Sequence, residues 1–114
     1  MKKKLYHFEI GFPKGLNTKL GVLDLFYTRH ALNAARDDRY GKINLPRRIN
    51  TDKAKAIEVE VTGYRVTKIV YRIHYNDKFD LVIVVGEECR VYTVWLNAKD
   101  DKHKTLDHRK YDRP

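Results

Sequence analysis

The chain has 114 residues, with 24 lysines and arginines against 15 acidic residues, a net charge of +9 and a single cysteine. That length suits one domain, 1–114, able to bury roughly two thirds of its unfolded surface, and the lone Cys89 excludes an internal disulfide framework. The opening MKKKLYHFEI is too short and too charged for a signal peptide, and no apolar run approaches the ~20 residues of a membrane span, so a cytoplasmic protein with no membrane partner is expected.

In chain order, Leu5–Ile10 alternates as a half-buried strand, and Gly11, Pro13 and Gly15 break it. Val22–Tyr27 reads as a second strand that would close an N-terminal hairpin with the first. Thr28 suits a helix N-cap, and Arg29–Asp38 is alanine-rich, with Ala31, Ala34 and Ala35 forming a thin face fit to lie close to a sheet. Gly41 suits the exit, and Lys42–Arg48 is extended around Pro46.

From Ile57 onward the pattern is β throughout. Ile57, Val59 and Val61 alternate with Glu58, Glu60 and Thr62; Val66–Tyr75 follows after Gly63; Leu81–Val85 is apolar on both faces; Val91–Leu96 closes the series. Short turns between these runs imply an antiparallel meander. The expected fold class is α+β, with an N-terminal hairpin and helix packed on a four-stranded antiparallel sheet.

Charge is the strongest functional signal. An excess this large on a small domain attracts polyanions, with RNA the leading expectation and an acidic protein the alternative. If the greasier strand sides face the helix, Arg72, His74, Thr93 and Asn97 fall together on the open face, while Tyr92, Val94 and Leu96 point to the core. His30, in the first helical turn, meets the positive end of the helix dipole, which favours a neutral imidazole able to act as a base. His103 follows two aspartates and precedes Lys104, a pair suited to donating a proton and contacting phosphate. Arg29, Arg36, Arg39, Arg47 and Arg48 cluster around the helix and its exit as candidate phosphate contacts. Tyr6, Tyr40, Tyr71 and Trp95 are candidate stacking platforms for unpaired bases. No Gly-rich phosphate loop and no Gly-x-Ser-x-Gly elbow is present. The spacing of His103, Asp107 and His108 fits no zinc pattern, so neither metal nor cofactor is expected.

A helix bearing an early histidine, followed by an antiparallel sheet bearing Arg, His and Thr, resembles the barnase–EndoU–colicin–RelE superfold of small ribonucleases. Tyr27-Thr28-Arg29-His30-Ala31-Leu32 is similar to the helix opening of RelE-like proteins of the RegB type, and TVWLNAKDDKHKTLD, Thr93 to Asp107, resembles the ending of small phage proteins. The resemblance implies a toxin- or phage-type endoribonuclease that cleaves RNA by 2′-hydroxyl attack without metal. In it His30 would be the base, Arg72 the charge stabiliser, and His103 or His74 the acid, with Thr93 and Asn97 positioning the phosphate. An antitoxin or acidic host protein would be a further partner. The late strands lack the clustered Arg and Lys of RelE toxins, so ribosome-dependent cleavage is not implied. The alternative from the residues alone is a non-enzymatic basic module.

Overall fold

The computed structural model describes residues 2–101. The elements run β1 (Lys3–His7), β2 (Val22–Asp24), β3 (Phe26–Tyr27), α1 (Arg29–Arg36), β4 (Arg48–Asn50), β5 (Lys55–Thr62), β6 (Arg65–His74), β7 (Phe79–Gly86) and β8 (Arg90–Ala98). They form an α+β fold: a six-stranded sheet ordered β1-β5-β6-β7-β8-β3, and a separate ribbon of β2 and β4. Every pair is antiparallel except β3 with β8. The meander β5–β8 carries the long ladders, and its four strands coincide with the four β runs expected from Ile57 onward.

Two expectations are corrected. The sheet has six strands rather than four, and the N-terminal hairpin does not form. β1 pairs instead with β5, setting Tyr6 opposite Val59 and His7 opposite Glu58. β5 lies at the side of the meander, where it offers β1 a ladder of five residue pairs. The run Val22–Tyr27 could not offer as much, because it breaks at the buried Leu25, whose amide donates to the Arg47 carbonyl at 2.9 Å. Val22–Asp24 then pairs with Arg48–Asn50, and Phe26–Tyr27 joins Arg90–Val91 in parallel.

The helix begins where expected, since the Thr28 hydroxyl accepts from the Ala31 amide at 3.1 Å. Ala31 and Ala35 are its buried positions, packed in one cluster with Ile69, Tyr71, Leu81, Ile83, Val91, Val94 and Leu96. It stops at Arg36, two residues short of the expected end. Asp38 is drawn out of the helix because its carboxylate accepts from the Leu96 amide of β8 at 3.2 Å and from the Tyr40 amide at 3.1 Å. Gly41 (φ +110°) therefore serves the turn after that anchor.

Thr51, fully buried, fastens the ribbon to the loop before it. Its hydroxyl accepts from the Leu20 amide at 2.6 Å and donates to the Gly21 carbonyl at 2.8 Å. Thr51→Val keeps the shape and removes both bonds, so it is expected to lower stability by about 1–3 kcal/mol. Denaturant unfolding monitored by circular dichroism checks this, and an unchanged midpoint would show that the clip contributes nothing.

Candidate nucleic-acid interface

The alternation of β6 divides the sheet into two faces. Ile69, Tyr71 and Ile73 point into the helix-side core. Val70 belongs to a second cluster with Ile57 and Val82, against which Phe8, Val84 and Trp95 pack. Arg72 and His74 share that second face by alternation. Register extends it across the meander: Val70, Val84 and Thr93 lie in one row, Arg72, Val82 and Trp95 in the next, His74, Asp80 and Asn97 in the third.

Two bulges decide what else reaches this face. Between Ala56 and Glu58 the register of β5 shifts, which places Ile57 in the second cluster and sets Lys55 opposite Arg72. Strict alternation would have sent both side chains to the helix side. In β8, Val84 pairs with Thr93 but Val85 with Val91, so Tyr92 is the extra residue. Gly86, opposite Lys68, lies beneath it: a Cβ there would come 2.1 Å from Tyr92 Cε2. The Tyr92 ring thus lies across Gly86, with Lys68 Nζ 5.0 Å from its centroid. This corrects the expectation that Tyr92 joins Val94 and Leu96 in the core.

The polar end of the face is organised around Asp80. Its carboxylate accepts from Arg72 Nε and from Lys99 Nζ, both at 2.7 Å. Burial alone would raise this carboxyl, but the hydrogen bonds and charges of Lys99 and Arg72 hold it below its ordinary value. Arg72 Nη2 also donates to the Ala98 carbonyl at 3.0 Å and Nη1 to the Asp101 carbonyl. Its guanidinium thereby pins the segment after β8 onto the sheet. Lys99 Nζ lies 3.0 Å from His74 Nδ1. An ammonium only donates, so Nδ1 accepts, and the proton of a neutral His74 sits on Nε2. Lys55, Arg72, Ile73, His74, Asp80 and Lys99 line a cleft of about 220 Å³. Counted over the face, Lys3, Lys55, Lys68, Arg72 and Lys99 oppose Glu58, Glu60 and Asp80, a surplus of positive charge. Glu60 is matched by Lys3 at 3.7 Å, Lys68 at 4.0 Å and the Thr67 hydroxyl at 2.7 Å.

The sequence-derived residues fall into three places. Arg72, His74, Thr93 and Asn97 share the helix-free face. Arg72 is a buried structural clamp there, and Asn97 is turned inward to donate to the Ala98 and Asp101 carbonyls at 3.3 and 3.2 Å. Thr93 is half-buried and His74 exposed. His30, by contrast, is an exposed residue of a helix that packs on the other face, so the sheet separates its element from Arg72 and His74. Arg29, Arg36, Arg39, Arg47 and Arg48 are all exposed around that helix and its exit; Arg36 pairs with Asp37 at 2.9 Å, Arg48 with Asp24 at 3.1 Å, and Arg39 lies over the Tyr40 ring. His103 and Lys104 lie outside the described residues.

Of the stacking candidates, Trp95 lies half-buried on the open face and Tyr6 half-buried on β1. Tyr40 stacks on Phe79 at 4.6 Å. Tyr71 is a core residue whose hydroxyl donates to the Thr18 carbonyl at 2.7 Å. Lys55, Lys68, Asp80, Tyr92 and Lys99 complete the face and were not singled out by the sequence. Asp80 and Lys99 sit at strand ends adjoining apolar runs, where only register shows what they meet.

Comparison with known protein families, characterised proteins and solved structures returned no match. Among the described residues no helix is long and apolar enough to cross a membrane.

Proposed function

We propose that this protein binds single-stranded RNA on the helix-free face of its sheet. The observation that carries the reading is the presence together on that face of two aromatic rings, Tyr92 and Trp95, and the cations Lys55, Lys68 and Lys99 around them. Aromatic faces stack unpaired bases in any sequence, and lysines flanking them track the phosphate backbone. Strands β6 and β8, which flank β7, stand about 10 Å apart, a span suited to a nucleotide and its phosphate. Arg72 contributes by holding the surface together; its donors already serve Asp80 and two carbonyls.

Cleavage on the same face is the second reading, favoured by one observation: the exposed His74 lines the cleft beside Lys99, and as an imidazolium, with Nδ1 released from the Lys99 ammonium, it can give its proton to a leaving 5′-oxygen. His30 supports it less, because it belongs to the element on the opposite face.

Lys55→Gln/Lys68→Gln/Lys99→Gln is expected to weaken binding of a fluorescein-labelled oligouridine by about tenfold or more and to flatten the salt dependence, since each lost phosphate contact lowers the slope by ~0.7. Fluorescence anisotropy over a salt series measures both, and unchanged affinity in the triple variant would remove this face as the binding surface. Run in EDTA and resolved on a gel, the same mixtures read cleavage. Intact RNA identifies a binding module, and cleavage lost in His74→Ala identifies an enzyme.

A further inference from the structure

A second surface, away from the helix-free face, combines exposed apolar groups with positive charge. β3, one edge strand of the sheet, forms the floor of a groove of about 520 Å³; Leu32 of α1 stands on one side, and Leu45, Pro46, Arg47 and Arg48 line the other. The floor is fixed: the Tyr27 hydroxyl donates to the Pro46 carbonyl, and burial pushes that phenol up to about 12. The Leu25 amide holds the Arg47 carbonyl at 2.9 Å. Yet Phe26 is 65 % exposed and Leu32 is 51 % exposed. Paired apolar groups this open at a preformed groove are the usual mark of an interaction site.

Charge decides what fits. Asp24 is matched by Arg48 at 3.1 Å, whereas Arg47 makes no ion pair among the described residues, nor does Arg29, which shares Leu32's side of the helix at i, i+3. A second copy of this chain would bring a net charge of +9 and, in a two-fold contact, would set Arg47 and Arg48 against themselves. Phe26 offers a flat ring, but the aliphatic Leu32, Leu45 and Pro46 around it fit branched apolar side chains rather than a run of stacked bases. We infer that the groove formed by Phe26, Leu32, Leu45 and Pro46, rimmed by Arg47, docks an acidic protein segment carrying bulky apolar anchors. This inference is independent of RNA binding on the sheet face, and the two can fail separately.

The probe is a fluorescein-labelled peptide of glutamates with leucine or tryptophan at every third or fourth position, titrated with the full chain. Phe26→Ser/Leu32→Ser should bind it about tenfold or more weakly, with oligouridine affinity and melting temperature unchanged because both side chains are exposed. Arg47→Glu keeps the proposal testable if the double variant fails to fold: it should weaken the peptide comparably and reduce the salt dependence. The inference is overturned if the wild type does not bind the peptide, if the serine variant binds it equally, or if that variant loses oligouridine instead. It is also overturned if the wild type self-associates through the groove, seen as a concentration-dependent mass abolished by the serine variant.

Discussion

Replacing Arg72 by methionine is expected to lower stability by about 1–3 kcal/mol, the usual cost of leaving buried acceptors without a donor, since Lys99 still pairs Asp80 at 2.7 Å. The side chain has three methylenes of apolar length, which methionine replaces, so packing against Val82 survives while the donors are lost. Three acceptors then lose a donor: Asp80 Oδ2 and the carbonyls of Ala98 and Asp101. Arg72→Lys should recover only part, because an ammonium delivers a point charge and cannot fork across a carboxylate and two carbonyls. Denaturant unfolding of the three proteins gives the ranking, wild type above lysine above methionine.

The same cluster fixes a pH dependence. Asp80 in the folded protein sits below its ordinary value. Its contribution is therefore complete above the unfolded carboxylate pKa, near 3.9, and is lost as pH falls through the lower folded value. Arg72→Met removes part of what lowers that value, so the acid limb of its stability profile should still begin near the unfolded value but be smaller and end at higher pH than in the wild type. An acid limb that does not move would show that Lys99 alone sets the Asp80 carboxyl.

Trp95→Leu carries the second large effect, on binding. Leucine retains apolar cover for Val82, the residue paired with Trp95, but offers no π-face. A stacked base is worth about 1–3 kcal/mol, so affinity for oligouridine should fall between about fivefold and a hundredfold. The salt slope should stay constant, because no phosphate contact is removed. That pattern is the converse of the lysine triple variant, in which the slope itself changes. Together the two separate stacking from charge on one surface.

Much of this surface is legible in the sequence. Period-two alternation along Val66–Tyr75 and Val91–Leu96 is enough to place Arg72, His74, Thr93 and Asn97 on one side, because a half-buried strand admits only one assignment of its greasy face. The remainder depends on contacts that local pattern does not encode. Lys55 and Tyr92 reach the face only through bulges, and an extra residue reverses the parity on which the alternation is read. Nothing within Leu5–Ile10 distinguishes Ile57–Thr62 from Val22–Tyr27 as its partner, since both are short amphipathic runs. The choice is made by the length of ladder each offers, and the break at Leu25 is a tertiary event. His30 has a sound local argument, the helix start, but Ala31 and Ala35 are the buried positions of the helix, which packs on the sheet face opposite Arg72 and His74.

Trp95 is the single tryptophan of the chain, so its emission reports the proposed surface without a label. Titrating the wild-type protein with unlabelled oligouridine tests the central claim most directly. Binding on this face predicts quenching of Trp95 emission that saturates with the affinity measured by anisotropy and reverses with added salt. RNA binding at full affinity with the Trp95 emission unchanged would contradict it and move the interface elsewhere on the protein.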